Sequence, residues 1–351
     1  MNRPDVPAGA ATLTDVRLDR APDLPAERDA VVGSAGRPGR RQRGERLMVP
    51  KADFRSYYGR PVLNAPTWEA PDIAGYLFLG GLAGASSTLA AAAELTGRPA
   101  LARGLKAGAA TAIAGSLYTL VHDLGRPERF INMLRVVKVT SPMSIGSWLL
   151  AGYAPMAITA AASAVTGRLS VPGRLATIGA ALLGPAVAAY TGALISNTAV
   201  PAWHEGHREM PLLFVGSAAA SAGGLGLLVG SGAESAPARR AAMLGAVAEL
   251  TMTRRLEQRL GPLAEPLQQD LGGALIRAGK VLSATAALTL ALAGRNRKAG
   301  VAAGVALLAG SLCTRFGIFH AGLASARDPK YTVGPQRERL AARDRAAKES
   351  T

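Results

Sequence analysis

Polar residues that can exchange protons gather in two segments of an otherwise apolar sequence. The first segment, residues 118–150, contains one histidine among acidic and basic side chains: His122, Asp123, Arg126, Glu128, Arg129, Arg135 and Lys138. The second segment, residues 190–214, holds a similar set with an added amide and indole: Asn197, Trp203, His204, Glu205, His207, Arg208 and Glu209. Imidazole and carboxylate groups commonly take up and release protons in proteins. These segments are therefore the first candidates for proton-coupled chemistry.

A quinone is a ligand that suits such residues at the edge of a membrane. Each quinone carbonyl needs a hydrogen-bond donor and a proton-exchanging partner, while the isoprenoid tail stays in lipid; His, Asp and Tyr supply both roles. A second interpretation needs no ligand, because Arg and His at helix ends often extend to lipid head groups. Asp123 and Arg126 could then simply form a turn-stabilising ion pair. The residues alone leave both interpretations open.

Charge and hydropathy are unusually combined in this chain. Its 351 residues include 40 Lys and Arg against 24 Asp and Glu, a net charge of +16, yet 49% are apolar and the mean hydropathy is +0.18. A disordered basic protein has low mean hydropathy. High charge and high hydropathy coexist when they are segregated along the sequence, as in membrane proteins. The composition thus favours a membrane protein over a nucleic-acid binder.

The single cysteine, Cys313, restricts the metal chemistry of the chain. A disulfide framework, a zinc ribbon and an iron–sulfur cluster each require several cysteines. We therefore expect any iron–sulfur cluster that serves this protein to belong to a neighbouring subunit.

Apolar stretches of the length that crosses a bilayer recur from residue 72 onward. They predict an all-α membrane domain over residues 72–322 with eight transmembrane helices, near residues 72–95, 104–122, 144–166, 173–196, 211–230, 236–254, 272–294 and 299–321. The sixth helix is the least apolar, since it contains Glu249 and is flanked by arginines. Without it the chain would have seven spans. Ser141 followed by Pro142 predicts a capped start for the third helix.

The segments outside this domain are polar. Residues 1–46, rich in Pro, Gly and Arg, are predicted to be a disordered basic tail, and residues 47–71 an extended interfacial segment. Residues 323–351 are predicted to be a basic C-terminal tail. Lys and Arg counts in the connecting loops predict a multi-pass protein of the cell membrane with both termini in the cytoplasm. With eight spans, both polar segments lie on the face of the termini.

The two polar segments resemble the NrfD / polysulfide reductase family of membrane subunits. The resemblance rests on HDLGRPERFINMLR with SPMSIGSW, on YTGALISNTAVPAWHE with REMPLLF, and on YLFLGGLAGASS in the first helix, and it covers about residues 47–330. It implies two four-helix bundles without haem, docked to a 4Fe–4S iron–sulfur subunit that is bound to a molybdopterin catalytic subunit. Electrons would pass between those clusters and menaquinone or another quinone.

The matching motifs also imply a set of residues for the quinone site: His122, Asp123, Arg126, Asn197, His204 and Glu205. Tyr76 stands where better-known members of the family carry a histidine, so a phenol would replace an imidazole there. The long basic N-terminal tail resembles the actinobacterial branch of the family, whose complexes look like formate dehydrogenases. The resemblance therefore implies an electron-transfer subunit rather than an enzyme acting alone.

Two other functions compete with this one. A haem-b membrane anchor requires facing histidine pairs inside the helices, whereas His122, His204, His207 and His320 are all predicted at helix ends. A secondary transporter requires interrupted helices with a substrate site near the midplane. Few ionisable residues fall inside the predicted spans, which counts against the transporter.

Four residues could carry protons across the predicted membrane domain: Glu94, Tyr118, Tyr190 and Glu249. An ionisable group at membrane depth is a functional hypothesis by default. Two structural alternatives compete with this path. Glu94 could extend to the surface, and Glu249 could pair with Arg254 or Arg255.

Overall fold

The computed structural model describes residues 62–126, 128–293 and 296–349. The predicted disordered tail (1–46) and most of the predicted interfacial segment (47–71) lie outside these residues. Residues from Leu63 onward form one compact unit. Its first residues are irregular and lead into the first helix at Ala70.

The described part of the chain is helical and has no strand, which confirms the all-α prediction. Eleven α-helices follow in order: α1 Ala70–Leu95, α2 Pro99–Asp123, α3 Glu128–Met133, α4 Pro142–Thr166, α5 Ser170–Ser196, α6 Pro201–His204, α7 Met210–Val229, α8 Ala236–Leu260, α9 Asp270–Leu292, α10 Arg297–Arg327 and α11 Lys330–Glu349. Two short 3₁₀ helices, Gly232–Ser235 and Gly261–Leu267, flank α8. The start of α4 is as predicted, since Ser141 accepts from the Ser144 N–H (3.5 Å) ahead of Pro142.

Six of the long helices are sufficiently long and apolar to cross a membrane: α1, α4, α5, α7, α9 and α10. This supports the prediction of a multi-pass membrane protein. Helices α2 and α8 lie where two further spans were predicted but do not meet the same measure. Arg103 and Lys106 in α2, and arginines near both ends of α8, lower their hydropathy.

One expectation about helix ends is wrong. His320 was predicted at the end of a helix, but α10 continues for two further turns to Arg327, so His320 lies inside the helix. The helix continues because its last turns still pack, with Ala321, Gly322 and Ala326 buried.

The long helices pack in two groups. In the first group, α1 and α4 each pack against α2 and α5; in the second, α7 and α9 each pack against α8 and α10. Helix α1 also contacts α7 and α10, and α5 contacts α7, so these helices join the groups.

Glycines from two helices meet at crossings in both groups. A Cβ added to Gly84 would lie 2.3 Å from the Gly184 carbonyl oxygen, and one added to Gly224 would lie 2.7 Å from that of Gly304. These contacts bring the α1 and α5 backbones, and the α7 and α10 backbones, directly together. Small residues of this kind allow close helix packing in membranes, where helix association cannot rely on expelling water.

Candidate functional site

A cavity of about 90 Å³ lies at one end of the first helix group, where α1 and α4 begin and α2 and α5 end. Most of its wall is apolar, including Ile73, Leu77, Leu120, Leu150, Leu194 and Ile195. Five residues of the wall have side chains that can donate or accept a hydrogen bond: Trp68, Tyr76, Asp123, Ser147 and Tyr190. A mostly apolar pocket with a few converging polar groups is the usual form of a small-molecule site.

Tyr76 is the most informative residue of this cavity. It is 1% exposed, and within the described chain its hydroxyl has no hydrogen-bond partner. A buried polar group without a partner costs about 1–3 kcal/mol. The Ser116 hydroxyl donates to the Tyr76 carbonyl (3.2 Å), which fixes the backbone of α1 against α2. The tyrosine is therefore held in place while its hydroxyl stays available.

The other polar wall residues are positioned by the ends of three helices. Asp123 is the last residue of α2, and Ser147 lies in the second turn of α4, where its hydroxyl donates to the Met143 carbonyl (2.8 Å). The Tyr190 ring from α5 lies directly over Gly146, where an added Cβ would be 2.1 Å from Cε2. Glycine at position 146 thus creates the space that the Tyr190 ring occupies.

An ion pair beside the cavity was not predicted. The Asp72 carboxylate lies 2.8 Å from Nδ1 of His122, which carries charge only when protonated. The sequence signal is weak, because an acidic residue in the first turn of a helix is already explained by the helix dipole. The imidazole ring of His122 also stacks on the Tyr118 ring, with ring centroids 6.0 Å apart. His122 is therefore oriented at the surface, next to Asp123.

The wall of the cavity includes two methionines that can adapt to a ligand. A cavity of roughly 150 Å³ is known to hold benzene, so the observed space of about 90 Å³ admits a six-membered ring only after its walls move. Met133 and Met143 are part of that wall. Methionine side chains have several rotatable bonds and adapt readily to a ligand.

The second polar segment is anchored by Trp203 of α6. Its indole N–H donates to the Ile318 carbonyl of α10 (2.8 Å), and Gly322 leaves the space for the ring, since an added Cβ would be 1.9 Å away. On its other side Trp203 stacks on Trp68, a residue of the cavity wall, with centroids 6.1 Å apart. An aromatic contact thus connects the second segment with the cavity wall.

The polar residues predicted from this second segment lie off the cavity wall. Asn197 and His204 are exposed, and Glu205 forms an ion pair with Arg339 of α11. Arg126 in the first segment is exposed as well, and the described chain shows no ion pair between it and Asp123. The structure therefore places Tyr76 and Asp123 on one cavity wall, which does not include Arg126, Asn197, His204 or Glu205.

The four residues considered for proton transfer lie in separate surroundings. Glu94 forms an ion pair with Lys106 (2.6 Å). Tyr118 is 70% exposed, and Tyr190 lines the cavity. Among the described residues, no hydrogen bond joins any two of the four.

Glu249 lies inside the second helix group. It is 2% exposed and accepts hydrogen bonds from the hydroxyls of Ser217 and Ser283, both at 3.0 Å. Glu249 therefore does not pair with Arg254 or Arg255, the partners considered from the sequence, which are exposed on α8. The buried polar surroundings of Glu249 therefore come from α7 and α9.

Arg315 of α10 is a buried cation that interacts with this carboxylate. Its guanidinium lies 3.7 Å from the centre of the Phe214 ring, and Nη2 donates to the Phe214 carbonyl (2.8 Å). Its Nε and Nη1 have no hydrogen-bond partner among the described residues. Arg315 and Glu249 interact electrostatically in the same buried region.

Comparison with known proteins agrees with the family resemblance. The family model described as "Polysulphide reductase, NrfD" matches residues 63–253, more than half of the chain. No curated protein matches the sequence. Members of this family typically associate with iron–sulfur and molybdopterin subunits. The chain therefore belongs to the NrfD family and is a multi-pass membrane subunit of a respiratory oxidoreductase complex.

Proposed function

We propose that this subunit transfers electrons between an iron–sulfur partner and menaquinone, or a related quinone, at the cavity beside Tyr76. The observation that carries this proposal is the buried Tyr76 hydroxyl, which has no protein partner in the described chain and belongs to the same wall as Asp123. The quinone is an exchangeable substrate, and this chain itself holds neither haem nor an iron–sulfur cluster.

Each residue of the site has a distinct task. Tyr76 donates a hydrogen bond to one quinone carbonyl, and Asp123 exchanges a proton with the reduced ring. Ser147 and Tyr190 orient the ring from the opposite helices. The Asp72–His122 pair connects Asp123 with the exposed surface. The family motif residues off the wall surround the approach to the site: Arg126, Asn197, His204 and Glu205.

The membrane topology is part of the proposal. Helices α2 and α8 also cross the membrane, which gives eight spans in two four-helix bundles with both termini in the cytoplasm. Their charged residues are tolerated because Lys106 pairs with Glu94 and Glu249 accepts hydrogen bonds from two serines. A reporter that is active only in the cytoplasm, fused after residue 351, checks this: its silence would contradict the topology.

A formate dehydrogenase-like molybdopterin subunit is the proposed catalytic partner, joined through the iron–sulfur subunit. We further propose that Glu94, Tyr118, Tyr190 and Glu249 belong to a route for protons coupled to the quinone reaction. Both proposals go beyond membership of the family, and both are to be tested on the same purified complex.

The test uses the complex as it purifies from native membranes in mild detergent. Mass spectrometry identifies the co-purifying subunits, and two activities are compared, reduction of a menaquinone analogue and reduction of an artificial dye. Tyr76→Phe and Asp123→Asn should each lower the quinone activity, by about 100-fold for Asp123 if it acts as the general acid–base. Dye reduction should stay unchanged, because it does not pass through this subunit.

Arg254→Gln is the matched control, since Arg254 is an exposed residue of α8 away from the cavity. Full quinone activity in both site variants would contradict the proposed site. Loss of both activities would show instead that these residues hold the complex together. A haem Soret band in the purified chain would favour the haem-b anchor.

A further inference from the structure

A second cavity, of about 260 Å³, lies at the opposite end of the first helix group from Tyr76. It is formed where α1 and α4 end and where α2 and α5 begin, by residues that include Glu94, Arg103, Lys106, Ser170 and Arg174. The same four helices therefore enclose two cavities, one at each end. The Tyr76 cavity is mostly apolar, whereas the wall of this second one includes three cationic side chains.

The charges of this cavity are unbalanced. Lys106 is only 8% exposed, and its ammonium group pairs with Glu94 at 2.6 Å. Arg103 and Arg174 belong to the same wall, and within the described chain neither makes a side-chain hydrogen bond or an ion pair. One carboxylate thus faces three cations, which leaves an excess of two positive charges. Such an excess between the ends of four helices favours an anion.

The donors available here match a phosphate group. Lysine has three N–H donors, of which Glu94 uses one, and each arginine presents a planar fork that fits phosphate oxygens. Helix α5 adds its positive end, because it begins at Ser170 without a side-chain cap. The helix end supports the site, and the three cations define it.

A lipid-facing apolar stripe continues from this cavity along α5. Val171, Leu175, Ile178 and Leu182 are each more than half exposed and recur at helical spacing on the outer face of the helix. Val171 and Leu175 flank Arg174 in the sequence. A ligand with its phosphate in the cavity can therefore lay acyl chains against this stripe. Basic pockets between transmembrane helices bind the head groups of anionic lipids on the cytoplasmic side of membranes, and the same donor chemistry is present at this end of the first helix group.

We propose that this cavity binds the phosphate of an anionic phospholipid, held by Arg103, Lys106 and Arg174. The bound head group neutralises the excess charge and ties the α1–α2 connection to the α4–α5 connection. The bound head group therefore stabilises the first helix group at the end opposite to the quinone site. This inference does not depend on the proposed electron transfer, because Arg103, Lys106 and Arg174 are not residues of the quinone site and the ligand is a different one.

The experiment uses the full chain, purified in a neutral detergent and depleted of lipid. Thermal unfolding is followed while phosphatidylglycerol, phosphatidylcholine or inorganic phosphate is added, and native mass spectrometry counts the retained lipids. We expect phosphatidylglycerol to raise the unfolding midpoint. We also expect the protein to retain one more molecule of phosphatidylglycerol than of phosphatidylcholine. The double variant Arg103→Gln/Arg174→Gln should need at least tenfold more phosphatidylglycerol for the same rise in the unfolding midpoint.

The double variant Arg254→Gln/Arg255→Gln is the matched control, because it removes the same charge from exposed positions on α8. It should respond to phosphatidylglycerol as the unchanged protein does. An equal loss in the control, or an equal effect of phosphatidylcholine, would overturn the proposal. An equal effect of inorganic phosphate would overturn the lipid assignment and leave a free anion as the ligand. Arg103→Lys/Arg174→Lys, which keeps the charge, should restore part of the effect and so excludes misfolding as the cause.

Discussion

Two buried polar groups, Tyr76 in the first helix group and Glu249 in the second, have contrasting surroundings. In the first group the Tyr76 hydroxyl has no partner in the described chain and stands beside open space. In the second group the Glu249 carboxylate is enclosed by Ser217 and Ser283, with Arg315 nearby. A partnered group contributes to packing, whereas an unpartnered one beside a cavity can bind a ligand at little structural cost. The first group is therefore suited to ligand binding and the second to holding the fold.

Removal of the Glu249 carboxylate should have the largest effect on stability. Glu249→Ala leaves two serine hydroxyls and the buried Arg315 without their acceptor or counter-charge. Breaking a buried charged pair from one side costs about 3–5 kcal/mol. We expect a loss of this size in the free energy of unfolding, measured by denaturant titration in detergent micelles.

The double variant Glu249→Gln/Arg315→Met provides the control for charge. Because it removes both charges, it should cost clearly less than Glu249→Ala, as replacement of a whole buried pair usually does. If Glu249→Ala were as stable as the unchanged protein, the structural role of the second group would be disproved.

An intermediate effect is expected at the wall of the Tyr76 cavity. Gly146→Ala places a methyl group against the Tyr190 ring, and overpacking of this kind costs about 1–3 kcal/mol. The ring can shift into the cavity, so quinone affinity should fall together with stability. Gly216→Ala is the matched change in the second group, where the added Cβ meets the Glu249 backbone nitrogen at 2.9 Å. Gly216→Ala should lower the stability more than Gly146→Ala, since a backbone atom cannot rotate away as a ring can. Equal losses of stability would argue against the contrast between the Tyr76 and Glu249 surroundings.

No loss of stability is expected for Tyr76→Phe without quinone. Its hydroxyl makes no hydrogen bond in the described chain, so its removal relieves the cost of a buried unpartnered group and should raise the unfolding free energy by up to about 1–3 kcal/mol. The same variant should lose the stabilisation that an added menaquinone analogue gives to the unchanged protein. A large destabilisation without ligand would show that the hydroxyl has a structural partner.

Much of the helical framework could be predicted from the sequence, because apolar stretches about twenty residues long mark the helices. Their ends were less predictable. Helix α8 runs to Leu260 rather than residue 254, since Leu256 and Leu260 still find buried contacts beyond the exposed Arg254 and Arg255. Tertiary packing, which local composition does not record, sets where such helices stop.

The candidate site was predictable in its residue types but not in its assembly. Tyr76 and Asp123 lie on one cavity wall. The contacts of Asp72 with His122 and of Trp68 with Trp203 join residues far apart in the sequence, so no local pattern predicts them. The polar convergence expected of the second segment does not form at this cavity. Trp203 anchors that segment to α10 instead, through a carbonyl more than a hundred residues away in the chain.

The hydrogen bond from Trp203 to Ile318 also bears on where the protein can be shortened. The family match ends at residue 253, inside α8, whereas the carbonyl that receives this bond lies in α10. A chain truncated at the end of the match would lose the partner of its largest buried side chain, along with the helix surface that Gly322 keeps open for it. The limits of sequence similarity are therefore not the limits of folding, and a minimal stable version of this subunit must extend through Arg327.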